Sequence, residues 1–143
     1  MAGYRSKEEV ARYQSYKNYN LAKALKRIKE CLDQPFDFRP GTYQLGIYLK
    51  ETDSLIGDIY INIAVNDEIS LGYTLDSDYW RNGYMYECLQ AFLLYLKEKF
   101  QVKVIYCMVK LANVPSRKLL EKLGFEEYYR SHFRKVACYI GRL

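Results

Sequence analysis

Around Gly83 two incompatible periodicities meet, and this junction constrains the fold more than any other stretch of the chain. Before it, Ile69, Leu71, Tyr73 and Leu75 alternate with Ser70, Gly72 and Thr74, the period of a half-buried strand. After it, Met85, Leu89, Phe92, Leu93, Leu96 and Phe100 recur at helical spacing. The chain must pass from sheet to helix through the short loop 76–82, and glycine supplies the backbone freedom for such a turn. Free N–H groups and the positive end of the helix dipole point out of a turn of this kind, which makes it a candidate anion site.

The flanking segments supply a sheet for that junction. Ser6-Lys7-Glu8-Glu9 has the form of a capping box and predicts a short helix to about Tyr13. Asn20 is placed to cap a second helix, in which Leu21, Leu25, Ile28 and Leu32 recur at helical spacing while Lys23, Lys26, Arg27 and Lys29 stay outside. Stretch 33–41 carries Pro35, Pro40 and two Phe residues, and reads as a loop that could form a lid or substrate wall. Three alternating runs, Thr42 to Lys50, Leu55 to Ile63 and Ile69 to Leu75, predict an antiparallel meander. Val104 to Val109 is continuously apolar, as expected of a strand covered on both faces. The helix before it predicts a right-handed crossover and a parallel pairing with the third strand. Asn113, with Pro115 behind it, caps a last helix that stops at Gly124, and 125–131 with 134–140 finish as a hairpin.

The expected fold is therefore α/β of the α+β type: a mixed, mainly antiparallel sheet with one splayed parallel pair and flanking helices. All 143 residues form a single domain, 1–143. A splayed pair exposes backbone N–H and C=O groups in a cleft, here bounded by the Gly83 turn and the Asn113 helix. A ligand with a pyrophosphate at one end and an amide-bearing arm at the other satisfies both boundaries. Coenzyme A has that shape.

Composition narrows the partners. The longest apolar run, Ala91 to Leu96, is too short to span a bilayer, and the first residues lack an apolar signal core. A cytoplasmic protein without a membrane partner is expected. Cys31, Cys88, Cys107 and Cys138 show no metal-ligand or CxxC spacing and read as free thiols, with no metal. The net charge of +5 favours acidic ligands. Basic residues are spread over helices without an aromatic-interleaved stripe, so nucleic acid is not an expected partner. His132, the single histidine, is read as a surface residue of a terminal turn.

Three stretches carry a family resemblance. Gly72-Tyr73-Thr74-Leu75-Asp76, followed by Tyr79-Trp80-Arg81-Asn82-Gly83-Tyr84-Met85-Tyr86-Glu87, resembles the strand and pyrophosphate-loop pattern of GNAT N-acyltransferases, in the ribosomal-protein N-terminal acetyltransferase branch. Asn113 to Phe125 is similar to that branch's NxxSxxLLEKxGF helix, and Glu9 to Ser15 to the segment after its first strand. The resemblance runs from about Tyr4 to the C-terminus. It implies acetyl-CoA as co-substrate, with the backbone of Arg81, Asn82, Gly83, Tyr84 and Met85 on the pyrophosphate and Thr74 and Leu75 pairing with the pantetheine arm. A strand N–H near Leu75 would polarise the thioester carbonyl. Asn113 and Ser116 would line the thiol, with Ser116 the candidate catalytic acid for the leaving thiolate. The implied reaction moves an acetyl group to a primary amine, on a protein N-terminus or a small molecule, by direct attack. The alternative is a non-catalytic or degenerate acyl-CoA-binding module.

Departures from the pattern are equally specific. Leu120 stands where many relatives place a tyrosine acid, and Ser70 where they often carry an acidic residue. Glu68 reads as a strand-end residue and Glu87 as a structural helix residue, so no base is assigned. The family's usual first strand finds no counterpart here, which would leave strand 42–50 as a sheet edge; either a homodimer covers it or the true start lies upstream.

Overall fold

A computed structural model describes residues 1–16 and 18–143. Its strands are β1 (Gly41–Leu49), β2 (Ser54–Ile63), β3 (Ile69–Leu75), β4 (Val104–Lys110), β5 (Glu126–Ser131) and β6 (Val136–Arg142). The helices are α1 (Ala2–Arg5), α2 (Glu8–Ala11), α3 (Leu21–Asp33), α4 (Tyr84–Phe100) and α5 (Val114–Lys122), with one 3-10 turn at Ser77–Tyr79. One sheet runs in the order β1-β2-β3-β4-β6-β5. Among the described residues only β3 and β4 pair in parallel, through the α4 crossover; the other neighbours are antiparallel. This is the expected mixed sheet, with β1 at its edge.

The period of α4 decides what the sheet packs against. Met85, Leu89, Leu93 and Leu96 are buried on Ile59, Ile61, Leu71, Ile105 and Cys107 of the strands, and Leu120 of α5 completes the layer. Burying a side chain of this size is worth about 1.5–3 kcal/mol. The opposite face of the sheet is polar. There Asp58, with no solvent exposure, accepts from the Tyr4 hydroxyl, the Arg5 guanidinium and the Gln44 amide.

That buried carboxylate overturns the expected capping box. Tyr4 and Arg5 are drawn onto Asp58 from their own helical turn, α1, so Ser6 becomes its C-cap and donates to Gly3 O at 2.9 Å. The next helix then starts after Lys7, without a side-chain cap, and ends at Ala11 rather than near Tyr13. The Asn20 cap forms as expected, its side chain accepting from Lys23 N–H at 3.0 Å. However, Leu21, Leu25, Ile28 and Leu32 of α3 are exposed by 39–79%, and only Ala24 is buried. Ala24 and Arg27 are the positions that face the sheet, and the leucine stripe lies roughly a quarter turn away around the helix.

The loop before β1 is a plug rather than a lid. Phe38 stacks on Phe100 at 4.3 Å, and Phe36 packs edge-on against Tyr43 and Phe100, which fixes this stretch to the far end of α4. The last strand begins two residues later than its pattern suggested, at Val136, because the turn from His132 is closed by Lys135 N–H on His132 O. His132 is exposed in that turn.

Candidate active site

The parallel pair β3–β4 is joined at a single register position, Ser70 opposite Tyr106, and the strands part beyond it. The alternation of antiparallel hydrogen bonding shows which backbone groups this splay frees. Asp76 N–H bonds to Ile56 O, so the hydrogen-bonded positions of β3 toward β2 are Asp76 and Thr74, whereas Leu75 and Tyr73 turn their N–H and C=O toward the splay. The backbone open to the splay is thus that of alternate residues. Leu75 and Tyr73 offer it, and Thr74 contributes a buried side chain on the polar face. Gly57 permits this close packing, since a Cβ there would stand 2.5 Å from Thr74 O.

A first cavity of about 590 Å³ runs from the splay to the Gly83 turn. Gly83 is left-handed (φ +82°) as N-cap of α4 and gives no side-chain cap, so the first-turn N–H groups face outward unpaired by a side chain. A Cβ at Gly83 would meet nothing within 4 Å, so open space lies in front of the turn. Arg12, Arg81 and Lys122 line the same cavity and outnumber its carboxylate, Glu9, which leaves it electropositive. The loop is anchored on its other side. Trp80 Nε1 donates to Leu75 O at 2.9 Å, Lys7 Nζ bridges Asp76 and Asp78 at 2.5 and 2.8 Å, and Ser77 Oγ donates to Glu9 at 2.9 Å. Free N–H groups, open space and cations fit a diphosphate.

A second cavity of about 640 Å³ opens on the polar face of the sheet, beneath residues 13–16, Tyr19 and α3. The two cavities share Tyr13, Gln14, Tyr73, Thr74, Asn113 and Ser116, so they meet at the splay. Asn113 caps α5 through Oδ1, which accepts Ser116 N–H at 3.3 Å. Tyr73 reaches across the splay and donates its hydroxyl to Ser116 O at 3.2 Å, while burial pushes its pKa well above the usual tyrosine range. Ser116 thus stands against the Tyr73 hydroxyl at the point where the two cavities meet.

Of the residues chosen from sequence, Thr74, Leu75, Arg81, Gly83, Tyr84, Met85, Asn113 and Ser116 all line the first cavity. Asn82 does not. Its side chain turns back to donate to Trp80 O at 3.1 Å. Neither loop 33–41 nor the turn at Ser131 reaches either cavity. Tyr16, Arg27 and Tyr73 do, and sequence gave no sign of the first two, whose approach depends on the path between α2 and α3. Leu120 is fully buried in the core, and Ser70 lines the second cavity where a carboxylate was wanting.

Residues 1–126 match the acetyltransferase (GNAT) domain family. An N-acetyltransferase designated p20 from Bacillus licheniformis is 28% identical over 149 aligned positions, which span 98% of this chain and 83% of that protein. A GNAT-family acetyltransferase from Bacillus anthracis superposes with a TM-score of 0.82 at 17% identity, covering 99% of this chain and 86% of that one. Mycobacterium smegmatis RimJ, solved with a CoA disulfide, gives 0.74 at 16% identity, over 91% of this chain and 68% of its own. The chain belongs to the GNAT acetyltransferase family and is an N-acetyltransferase. Its sheet, splay and α4 turn are that family's fold, with β1 as the outermost strand.

Proposed function

We propose that the protein transfers an acetyl group from acetyl-CoA to a primary amine, by direct attack of the amine on the thioester. The observation that carries this reading is the meeting of the two cavities at the splay, which gives a donor and an acceptor separate entrances to one point. When bound, acetyl-CoA supplies an activated acyl group. Arg81 and the N–H groups from Gly83 to Met85 would hold its pyrophosphate, and Tyr73 and Leu75 would pair with the pantetheine amides. The Leu75 N–H, directed into the splay, would stabilise negative charge on the acyl oxygen. Ser116, whose residue lines both cavities at the junction, would return a proton to the departing thiolate directly or through water. The CoA complex of the RimJ structure supports the choice of donor.

Release of CoA thiol from acetyl-CoA on addition of amines tests the reading. Acetyl-CoA binding without release for any amine, small or peptide-borne, would overturn it. A Ser116→Ala variant should lower kcat with little change in acetyl-CoA affinity.

Two further attributes belong to the same reading. We place the enzyme in the cytoplasm, since its four cysteines are unpaired thiols and suit a reducing compartment. We also infer a homodimer, because β1 has a free edge and the leucine stripe of α3 is exposed. Light scattering that shows a monomer at micromolar concentration would sink the dimer.

A further inference from the structure

Resting on the transferase reading, we propose that the acceptor is a primary amine tethered to an anionic group, a carboxylate or a phosphate, and that Arg27 receives that group. Charge is the first argument. Among the described residues the charged lining of the second cavity consists of Arg5, Lys23, Arg27 and Lys110, with no carboxylate. Arg5 is neutralised from beneath by Asp58. Lys110 is held by the carbonyls of Arg12 and Gln14, which orient its ammonium without cancelling the charge. Among the described residues Arg27 forms one ion pair, with Glu30, whose side chain is 47% exposed, at 3.3 Å. A second cation brought in by the acceptor would be repelled.

Unpaired groups are the second argument. Among the described residues two buried side-chain polar atoms lack any hydrogen-bond partner, the Tyr16 hydroxyl and Arg27 Nη2, and both residues line this one cavity. Buried polar groups are nearly always paired, so the orphan Nη2 leaves the Arg27 guanidinium with donor capacity that its Gln44 and Glu30 contacts do not fill. The guanidinium is also held ready. Its Nε donates to Gln44 Oε1 at 2.8 Å, and Gln44 Nε2 donates to Asp58 at 2.8 Å.

Spacing sets the substrate's length. Gln44 stands opposite Tyr60, and Tyr60 opposite Gly72, so Arg27 over β1 lies two strand spacings from β3, about 10 Å. An amine at the splay would therefore carry its anion about 10 Å away. The same positive surroundings suit a site with Ser70 in place of a carboxylate. Nearby cations favour the neutral, attacking form of an amine, so its proton can leave to solvent before the C–N bond forms and the C–S bond breaks.

Aminooctanoate, aminooctyl phosphate, octylamine and octanediamine test the proposal, with thiol release as the readout. The anionic amines should exceed octylamine in kcat/KM by about tenfold or more, with the diamine poorest. The two anions against each other tell carboxylate from phosphate. Arg27→Gln should erase the preference mainly through KM, and Arg27→Lys should restore part of it, while calorimetry with acetyl-CoA verifies that the donor cleft remains folded. A diamine as good as aminooctanoate, or a preference that survives in Arg27→Gln, overturns the proposal. Calorimetry of aminooctanoate against octanediamine on CoA-saturated protein, where no acetyl group is available to transfer, keeps it separate from turnover. Tighter carboxylate binding that is lost in Arg27→Gln supports the anion site even if no acetyl group moves, and equal binding refutes it.

Discussion

Replacing Gly83 by aspartate isolates the proposed pyrophosphate site, because the structure allows fold and binding effects to be separated. A Cβ at Gly83 meets nothing within 4 Å, so the folded state pays only for a left-handed non-glycine residue, about 1–2 kcal/mol. For a domain of this size each kcal/mol lowers Tm by roughly 2–4 °C. Gly124 is a matched control: its φ is +85°, its surroundings are equally open, and it lies at the other end of α5 from the cavities. Gly124→Asp should therefore cost similar stability without touching the cofactor. At Gly83 the carboxylate would face the diphosphate. Taking roughly 6 Å, two unit charges in water repel by about 0.7 kcal/mol, so two phosphates add about 1.4, and a drier cleft more. Acetyl-CoA affinity should fall about tenfold to a hundredfold in calorimetry, and part of the loss should disappear at high salt. Wild-type affinity in Gly83→Asp, or equal weakening by Gly124→Asp, would refute the assignment.

Asp58→Asn leaves the Arg5 charge buried without its partner and should cost about 3–5 kcal/mol in urea unfolding, whereas a neutral result would remove the network from the fold's essential contacts. Burial pushes the Tyr16 hydroxyl up to about 12 from its ordinary value of 10, so the folded state keeps a proton that the unfolded chain loses. Its contribution is whole below pH 10 and disappears as pH rises toward 12, and Tyr16→Phe should flatten the alkaline fall of Tm. Burial likewise raises the Cys107 thiol to about 12, so iodoacetamide at about pH 8 should label Cys107 only after denaturation, as read by peptide mass spectrometry.

Local rules carried far where neighbours in sequence are neighbours in space. The alternation of β1 to β3, the α4 stripe, the Asn20 and Asn113 caps and the Gly83 turn are short-range patterns, and all of them formed. Failures occurred where a distant contact decided. Ser6 lost its capping role because Arg5 binds a carboxylate 53 positions away, and nothing around Ser6 records Asp58. The stripe of α3 looked like a core face, yet a helix meets the sheet at an angle set by its tertiary anchors, here Arg27 on Gln44. Thr74 and Leu75 could not be told apart as backbone donors until the register with β2 was known. The second cavity was invisible for the same reason, since Tyr16, Arg27 and Lys110 come together only through the path of the chain over the sheet.

The lone rung between Ser70 and Tyr106 divides the sheet into two three-stranded blocks, each stitched internally by antiparallel bonds. Such blocks are natural units of sub-global opening. A ligand lying in the splay would touch both, and at a hundredfold excess over its Kd would add about 2.7 kcal/mol to the assembled state. Amide exchange across Tyr73, Leu75 and Val109 should slow together when acetyl-CoA is added. The co-substrate would then be a structural member in its own right, setting whether the two blocks loosen separately or melt as one.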